Sequence, residues 1–401
     1  MKGKAWSLSG KAKEIYDCIR KKGTVSKQDL VDVSRITGST VTRLLEELLS
    51  QELIREVGLG DSTGGRKPIL YRINPLYAYA FGLEISRIHC RLVLCDLQMD
   101  KLESRSWNMT ESMTPEVLTE TVGREAEDML EKLGLAWSSV LGLGIGSVGP
   151  VDRQRGIILE PLYFPAPGWR NVDIGTALSR RLGIPVWLDN GANTALLGEF
   201  WADSFQSYRH MLYLHAGVGI RSAMMSNGHL VYGAVDMEGA VGQMIIQTDG
   251  LPHREKQGNY GALESYASLY AMERNMRSAL KQGRESTVRS RVSDPEEVKY
   301  PDLLQGLAER DPLTVELFTQ AAVQFGIGLS NLLNILHPEK VILGGPLIAG
   351  NDLFFRVATQ TAVRKTYYYP EYQVMFSRGK LGDDALAAGA AVMVLERLLE
   401  A

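Results

Sequence analysis

No stretch of about 18 consecutive apolar residues occurs in the 401-residue chain, so nothing in it reads as a membrane-spanning helix. Cysteine is scarce. Cys18, Cys90 and Cys95 have neither the number nor the spacing of a disulfide framework or a zinc site, which fits a reducing compartment. Met1 to Gly10 carries lysines but lacks an apolar stretch and a small-residue cleavage site, so no signal peptide is expected and the location read from the sequence is cytoplasmic. What is present is ordinary for a globular protein: 45% hydrophobic and 23% charged residues, in a chain long enough for two or three domains.

The formal net charge of −3 hides an asymmetry. Residues 1–75 hold 14 Lys and Arg against 9 Asp and Glu, whereas the remainder holds 30 against 38. A basic module on an acidic body suggests a polyanionic partner for the N-terminus alone; a chance excess on a solvated surface is the plainer alternative.

Three helical patterns follow one another in that module. Lys11 to Lys21 places Ile15, Cys18 and Ile19 on one face, and Lys22-Gly23-Thr24 stops it. Ser26 caps a second helix carrying Leu30 and Val33. After a turn at Arg35-Ile36, Thr37 is placed to cap a third helix to about Leu49, which buries Val41, Leu44, Leu45 and Leu48. Its outer face offers Ser39, Thr40, Thr42 and Arg43, the small polar side chains and single Arg that suit a recognition helix in the major groove. Leu53 to Val57 and Ile69 to Ile73 then read as two strands of a wing. The Ser62-Thr63-Gly64-Gly65-Arg66-Lys67-Pro68 segment between them suits a narrow, electronegative minor groove. The pattern predicts a winged helix-turn-helix in which Thr37, Ser39, Thr40, Thr42, Arg43, Arg66 and Lys67 face DNA; a plain helical module serving dimerisation is the rival reading.

From about Pro75 strands and helices alternate, with glycine at many strand ends, so the class is α/β. Ala80 to Leu97 alternates as strands do, Thr114 to Gly134 is amphipathic, and Val140 to Val148 is a glycine-rich strand entering Gly149-Pro150-Val151-Asp152. Val186 to Leu188 reads as a strand ending at Asp189-Asn190-Gly191-Ala192-Asn193, with a helix through Trp201. Met211 to Ile220 and Ser222 to Val231 read as a strand pair. Lys281 to Tyr300 reads as an exposed loop, Val323 to Ile335 as a helix, Val341 to Leu343 as a strand, and Asp384 to Leu399 as a closing helix.

With these residues in place the whole chain resembles the ROK family (repressors, open reading frames and kinases). The resemblance is to the branch of the xylose and N-acetylglucosamine repressors. It is carried by Gly64-Gly65-Arg66-Lys67-Pro68, Gly142-Leu143-Gly144-Ile145-Gly146 before Gly149-Pro150-Val151-Asp152, and Pro167-Gly168-Trp169-Arg170-Asn171. Asn190 with Asn193, Asn334 with Pro338, Val341 to Pro346, Gly382-Asp383-Asp384 and Gly389-Ala390-Ala391 extend it in order and spacing. The resemblance implies an N-terminal winged helix-turn-helix (1–74) on a two-lobed, actin-like body of the sugar kinase/Hsp70/actin type. Its small lobe would be 75–195, closed by a C-terminal helix at 384–400, and its large lobe 196–383.

The same resemblance implies that kinase chemistry is lost. Sugar phosphorylation needs a carboxylate base, backbone amides around phosphates, and an ordered sugar pocket. Family kinases carry the base as Asp in Asn-Asp-Ala-Asn; this chain has Gly191 there. Asp189 lies two residues away, a displacement of roughly 7 Å along a strand. The first phosphate loop is replaced by Glu84-Ile85-Ser86-Arg87-Ile88, and the second by Gly217-Val218-Gly219-Ile220-Arg221-Ser222-Ala223. The glycines that let backbone approach phosphate are largely gone, and the two arginines read as salt-bridging or as anion ligands. The family zinc site is replaced by Gln243, Glu255, Gln257 and Ala262, while Gly258, Gly261, Leu263 and Glu264 keep its frame. No zinc and no cofactor are expected, and His253 reads as an isolated surface-loop residue.

Of the family's sugar contacts the chain keeps Gly149, Asn190 and Glu264 and changes others to Gly191, Ala240 and Gln243. Gly149, Trp169, Asn171, Asp189, Asn190, Gln243 and Glu264 are therefore the expected effector-binding residues, the alternative being leftover polar residues that bind nothing. The expected protein is a non-enzymatic regulator binding double-stranded operator DNA as a homodimer or higher oligomer, released by a carbohydrate such as xylose that alters the angle between the lobes. Control by a protein partner such as a transport component, activation instead of repression, and a bifunctional kinase are the alternatives.

Overall fold

A computed structural model of the chain describes residues 8–61, 67–203, 208–236, 240–368 and 370–400. It divides into two units, Met1–Ser207 with Asp384–Ala401, and Tyr208–Asp383. Among the described residues no helix is long and apolar enough to cross a membrane.

The first unit opens with α1 (Gly10–Lys22), started by Ser9, whose hydroxyl accepts the Ala12 N–H, and stopped at Gly23 with φ 79°. It buries Ala12, Ile15, Tyr16 and Ile19; Cys18 is only half-buried. After β1 (Val25–Ser26) comes α2 (Lys27–Ser34), begun by a reciprocal cap in which the Asp29 N–H donates to Ser26 Oγ and the Ser26 N–H donates to Asp29 Oδ2. Of the two apolar residues expected to mark α2, Leu30 is buried and Val33 is 48% exposed, because so short a helix turns only one narrow face inward. Helix α3 (Gly38–Ser50) buries Val41, Leu44, Leu45 and Leu48, the three-and-four spacing of one helical face.

Strands β2 (Ile54–Leu59) and β3 (Ile69–Ile73) complete a three-stranded antiparallel sheet in the order β1-β3-β2. Ile54 pairs with Ile73, and an irregularity at Glu56/Gly58 falls where Gly58 adopts φ 128°, a conformation open to glycine. The Gly60 N–H donates to the Pro68 carbonyl at the base of the connection. Arg66, expected in the minor groove, lies outside the described residues.

The unit continues with β4 (Tyr79–Ile85), β5 (His89–Asp96), β6 (Lys101–Asn108), α4 (Pro115–Leu133), β7 (Val140–Ser147), the short β8 (Val151–Asp152) and β9 (Ile157–Ile158), α5 (Ile174–Leu182), β10 (Val186–Asn190) and α6 (Gly191–Ala202). The five-stranded sheet runs β10-β7-β4-β5-β6, with β4, β5 and β6 antiparallel in succession and β7 and β10 added in parallel. Phe81, Leu83, Leu92, Leu94, Leu143 and Ile145 on one face pack with α4 and α5. Ala80, Val93, Cys95 and Leu141 on the other join a core that also holds α1, α3 and the C-terminal helix. Period-two alternation in β4 and β5 thus sends successive side chains to two different cores, and a register irregularity at the start of β7 turns Leu141 to the second.

The second unit holds β11 (Met211–Ala216), β12 (Ile220–Ser226), β13 (His229–Leu230), α7 (Leu269–Lys281), α8 (Tyr300–Ala308), α9 (Pro312–Leu336), β14 (Lys340–Gly344), α10 (Asp352–Lys365) and β15 (Met375–Ser377). Its sheet order is β13-β12-β11-β14-β15. Helix α9 begins at Pro312, well before the expected Val323, since Asp311 caps it through the Thr314 N–H and Pro312 occupies the first turn. The stretch Lys281 to Tyr300, expected as an exposed loop, is anchored by the fully buried Val288 and Val298. The chain then returns to the first unit as α11 (Ala385–Glu400).

Helix α11 explains several glycines in the first unit. A Cβ on Gly82 would collide with the Ala387 carbonyl, one on Gly144 with the Ala390 carbonyl, and one on Gly389 with the Thr194 carbonyl of α6. The helix lies backbone-close to both the sheet and α6, a distance only glycine permits.

Candidate functional site

At the β10–α6 junction, Asp189 is 1% exposed and its Oδ1 accepts the Asn190 N–H at 2.6 Å and the Asn193 side-chain amide at 2.9 Å. Asn190 caps α6 by accepting the Ala192 N–H at 3.1 Å. The Asp189 carboxylate holds the turn, and Gly191, the next residue after Asn190, offers no side chain there. Gly149 is buried beside Pro150.

Two other expected effector residues fare differently. Trp169, expected among the effector contacts, is 5% exposed, its indole N–H donates to the Met113 carbonyl at 3.0 Å, and its ring lies 4.9 Å from that of Phe164. It is a core residue, and its aromatic face is covered. Asn171 is exposed, adopts φ 54°, and borders a groove of about 520 Å³ with Pro115, Glu116, Thr119 and Asp173.

The segments around Ser86 and Gly217 are bonded internally. Ser86 Oγ accepts the N–H groups of Ile88 and His89, and Arg87 Nε donates to the Leu162 carbonyl at 2.7 Å. Glu84, 4% exposed, has Oε1 3.3 Å from His89 Nε2. In the second unit the Gly217 N–H donates to the Gly219 carbonyl, and the Ile220 N–H donates to Glu264 Oε2 at 2.8 Å.

Glu264 is the centre of a small buried cluster. Arg221 Nη1 lies 4.0 Å from its Oε2, and His253 Nε2 lies 3.3 Å from its Oε1. His253 also accepts the Glu255 N–H at Nδ1 (3.0 Å), so in the neutral ring the proton sits on Nε2 and is donated to Glu264. The same Nε2 lies 3.0 Å from Gln243 Nε2, while Gln243 Oε1 accepts the Asn259 N–H. Burial pushes the Glu264 carboxyl up, but His253, the Ile220 amide and Arg221 outweigh it and hold the group below its ordinary range. His253, expected as an isolated surface-loop residue, has a side chain only 5% exposed. The signal for it was Gly258: a Cβ there would collide with the imidazole. Among the described residues no group of three or more His, Cys, Asp and Glu is placed to hold a metal ion.

On α3, Ser39 and Arg43 are exposed and Thr40 is half-buried. Thr37 stands at the cap position, but its hydroxyl contacts Thr40 Oγ1 at 2.9 Å and caps no backbone N–H, contrary to expectation. Thr42 Oγ1 donates to the Gly38 carbonyl, back-bonding within its own helix. Lys67 is exposed.

A family profile described as the ROK family matches residues 80–397. The chain belongs to the ROK family. Its body is the mixed α/β, actin-like fold of sugar-kinase type. A xylose repressor of Caldicellulosiruptor bescii is 27% identical over 372 residues, covering 92% of this ROK chain and 90% of that protein. A glucokinase of Thermotoga maritima is 28% identical over 260 residues, covering 64% of this chain and 80% of the enzyme. A crystal structure of a ROK family transcriptional regulator, a homologue of the Escherichia coli MLC protein, superposes with a TM-score of 0.79 at 21% identity, covering 98% of each chain.

Proposed function

We propose that this ROK protein is a sugar-responsive transcriptional regulator, acting as a repressor, in which residues 1–74 form a winged helix-turn-helix. It is not an enzyme. The observation that carries the reading is the module of α1 to α3 and β1 to β3 ahead of the ROK body. Its helix α3 exposes Ser39 and Arg43, and the named repressor matches 92% of the chain, whereas the glucokinase match covers 64% of it. Ser39, Thr40 and Arg43, with Lys67 and Arg66, make the DNA contacts; a homodimer places two such helices on a two-fold operator.

The effector is a carbohydrate. Within the first unit, Gly149, Asn171 and Asn190 are its proposed contacts. Asp189 acts behind Asn190 by holding the turn. Trp169 is withdrawn from the set.

The reading is tested by fluorescence-anisotropy titration of the protein against duplexes from its own promoter region, with and without mono- and disaccharides. Saturable binding that Arg43→Ala weakens by about 1–3 kcal/mol is the expected result. One sugar should release the duplex and raise the Tm of the free protein. Affinity equal for all duplexes and unchanged in the variant would sink the DNA assignment. Sugar-dependent ATP hydrolysis would sink the non-enzymatic one.

A further inference from the structure

Within the first unit, a pocket of about 270 Å³ opens between the N-terminal module and the body. It is lined by Arg20, Lys21 and Lys22 at the end of α1, Arg72 of β3, Asp100 before β6, and Trp201 at the end of α6. The wall thus carries four cations and one carboxylate. Asp17 pairs with Arg20 and Lys21, but Lys22 and Arg72, both exposed, form no ion pair among the described residues.

Arg20 is the unusual member. Its side chain is 4% exposed, its Nε donates to Asp17 Oδ1 at 2.7 Å, and its guanidinium carbon stands 4.2 Å from the centroid of the Trp201 ring. Its Nη1 is buried and has no hydrogen-bond partner, and neither has Nε1 of Trp201. Buried N–H donors are normally satisfied, and a charged one left unpaired is costly. The missing complement is an acceptor, and the excess of positive charge around it calls for an anionic one. Guanidinium and ammonium groups converging from two segments, α1 and β3, suit a group with several acceptor oxygens. The volume, many times that of a water molecule, admits a small metabolite.

We propose that this pocket binds a phosphate-type oxyanion, either free phosphate or the phosphate group of a small metabolite. Lys22 and Arg72 draw it to the mouth. A small rearrangement of the two side chains then turns the unused N–H groups of Arg20 and Trp201 onto its oxygens. The bound anion bridges α1 and β3 of the module to the end of α6, a helix whose other end is capped by Asn190, so occupancy governs how firmly the module is held on the body.

The test is calorimetric titration of the full-length protein with inorganic phosphate in chloride buffer, and it needs neither DNA nor a sugar effector. Saturable binding is expected, weakened at least about tenfold in the Lys22→Ala/Arg72→Ala double variant, both sites being exposed. Arg20→Lys, which keeps the charge but loses the fork, should weaken it as well. A hexose 6-phosphate is titrated in parallel, counting only the binding that the double variant loses. If that component is tighter than phosphate, the source is a phosphorylated metabolite; if equal, it is the free anion. No saturable phosphate binding, or binding undiminished in the double variant, overturns the proposal.

Discussion

The packing around α11 and the cluster around Glu264 have opposite tolerances for change. In the first, backbone meets backbone: Gly82, Gly144 and Gly389 lie where any Cβ would strike a carbonyl oxygen, so no other residue fits. In the second, side chain meets side chain. His253 donates to Glu264, Gln243 accepts the Asn259 N–H, Arg221 stands 4.0 Å from the Glu264 carboxylate, and Gly258 keeps room for the ring. The two regions differ in what a replacement residue has to match. A frame set by backbone clearance has no substitute of another shape, whereas a polar cluster needs only its donors and acceptors matched.

The comparison is broken most severely by Gly389→Ala. Its added methyl group collides with the Thr194 carbonyl, and we expect a loss of about 3 kcal/mol or more, read as a collapse in soluble yield and Tm. Near-native stability would show that α6 and α11 can separate cheaply.

His253→Ala should cost about 2 kcal/mol, because it leaves Glu264 buried with one fewer donor and opens a void. His253→Gln should recover part of this in chemical denaturation. Equal losses in the two variants would mean the hydrogen bonds carry nothing.

Glu264 sharpens the same point through pH. Its carboxyl titrates lower in the folded protein than in the unfolded chain, so its ionised form stabilises the fold above the ordinary Glu range. That contribution is lost as pH falls through the depressed folded value. The stability advantage of the wild type over Glu264→Gln should therefore shrink on acidification, measured as the difference in denaturation midpoints. A gap independent of pH would contradict the ionised assignment.

The smallest effect is expected at Gln257, whose side chain is exposed. Gln257→Ala should change stability by less than about 0.5 kcal/mol in the same assay.

Sequence periodicity captured the N-terminal module closely, since α3 buries the four residues its spacing singles out and Ser26 begins α2 as its position suggests. The first half of α9 went unread although its signal, Asp311 before Pro312, was present. Trp169 was misjudged because an indole beside Gly168 and Asn171 looks the same in sequence whether its face is open or covered.

Whatever depends on near neighbours is legible in the residue order. Caps, helical faces, strand alternation, and the glycines of a known family frame all follow from interactions within a few residues or from motif order. Tertiary structure alone decided which polar groups remain free. Trp169 donates to Met113, Arg87 to Leu162, and His253 reaches Glu264 across segments whose approach no local rule predicts. Because a buried donor or acceptor must find a partner wherever the fold brings one, the commitment of each functional-looking side chain is settled only when the distant chain arrives.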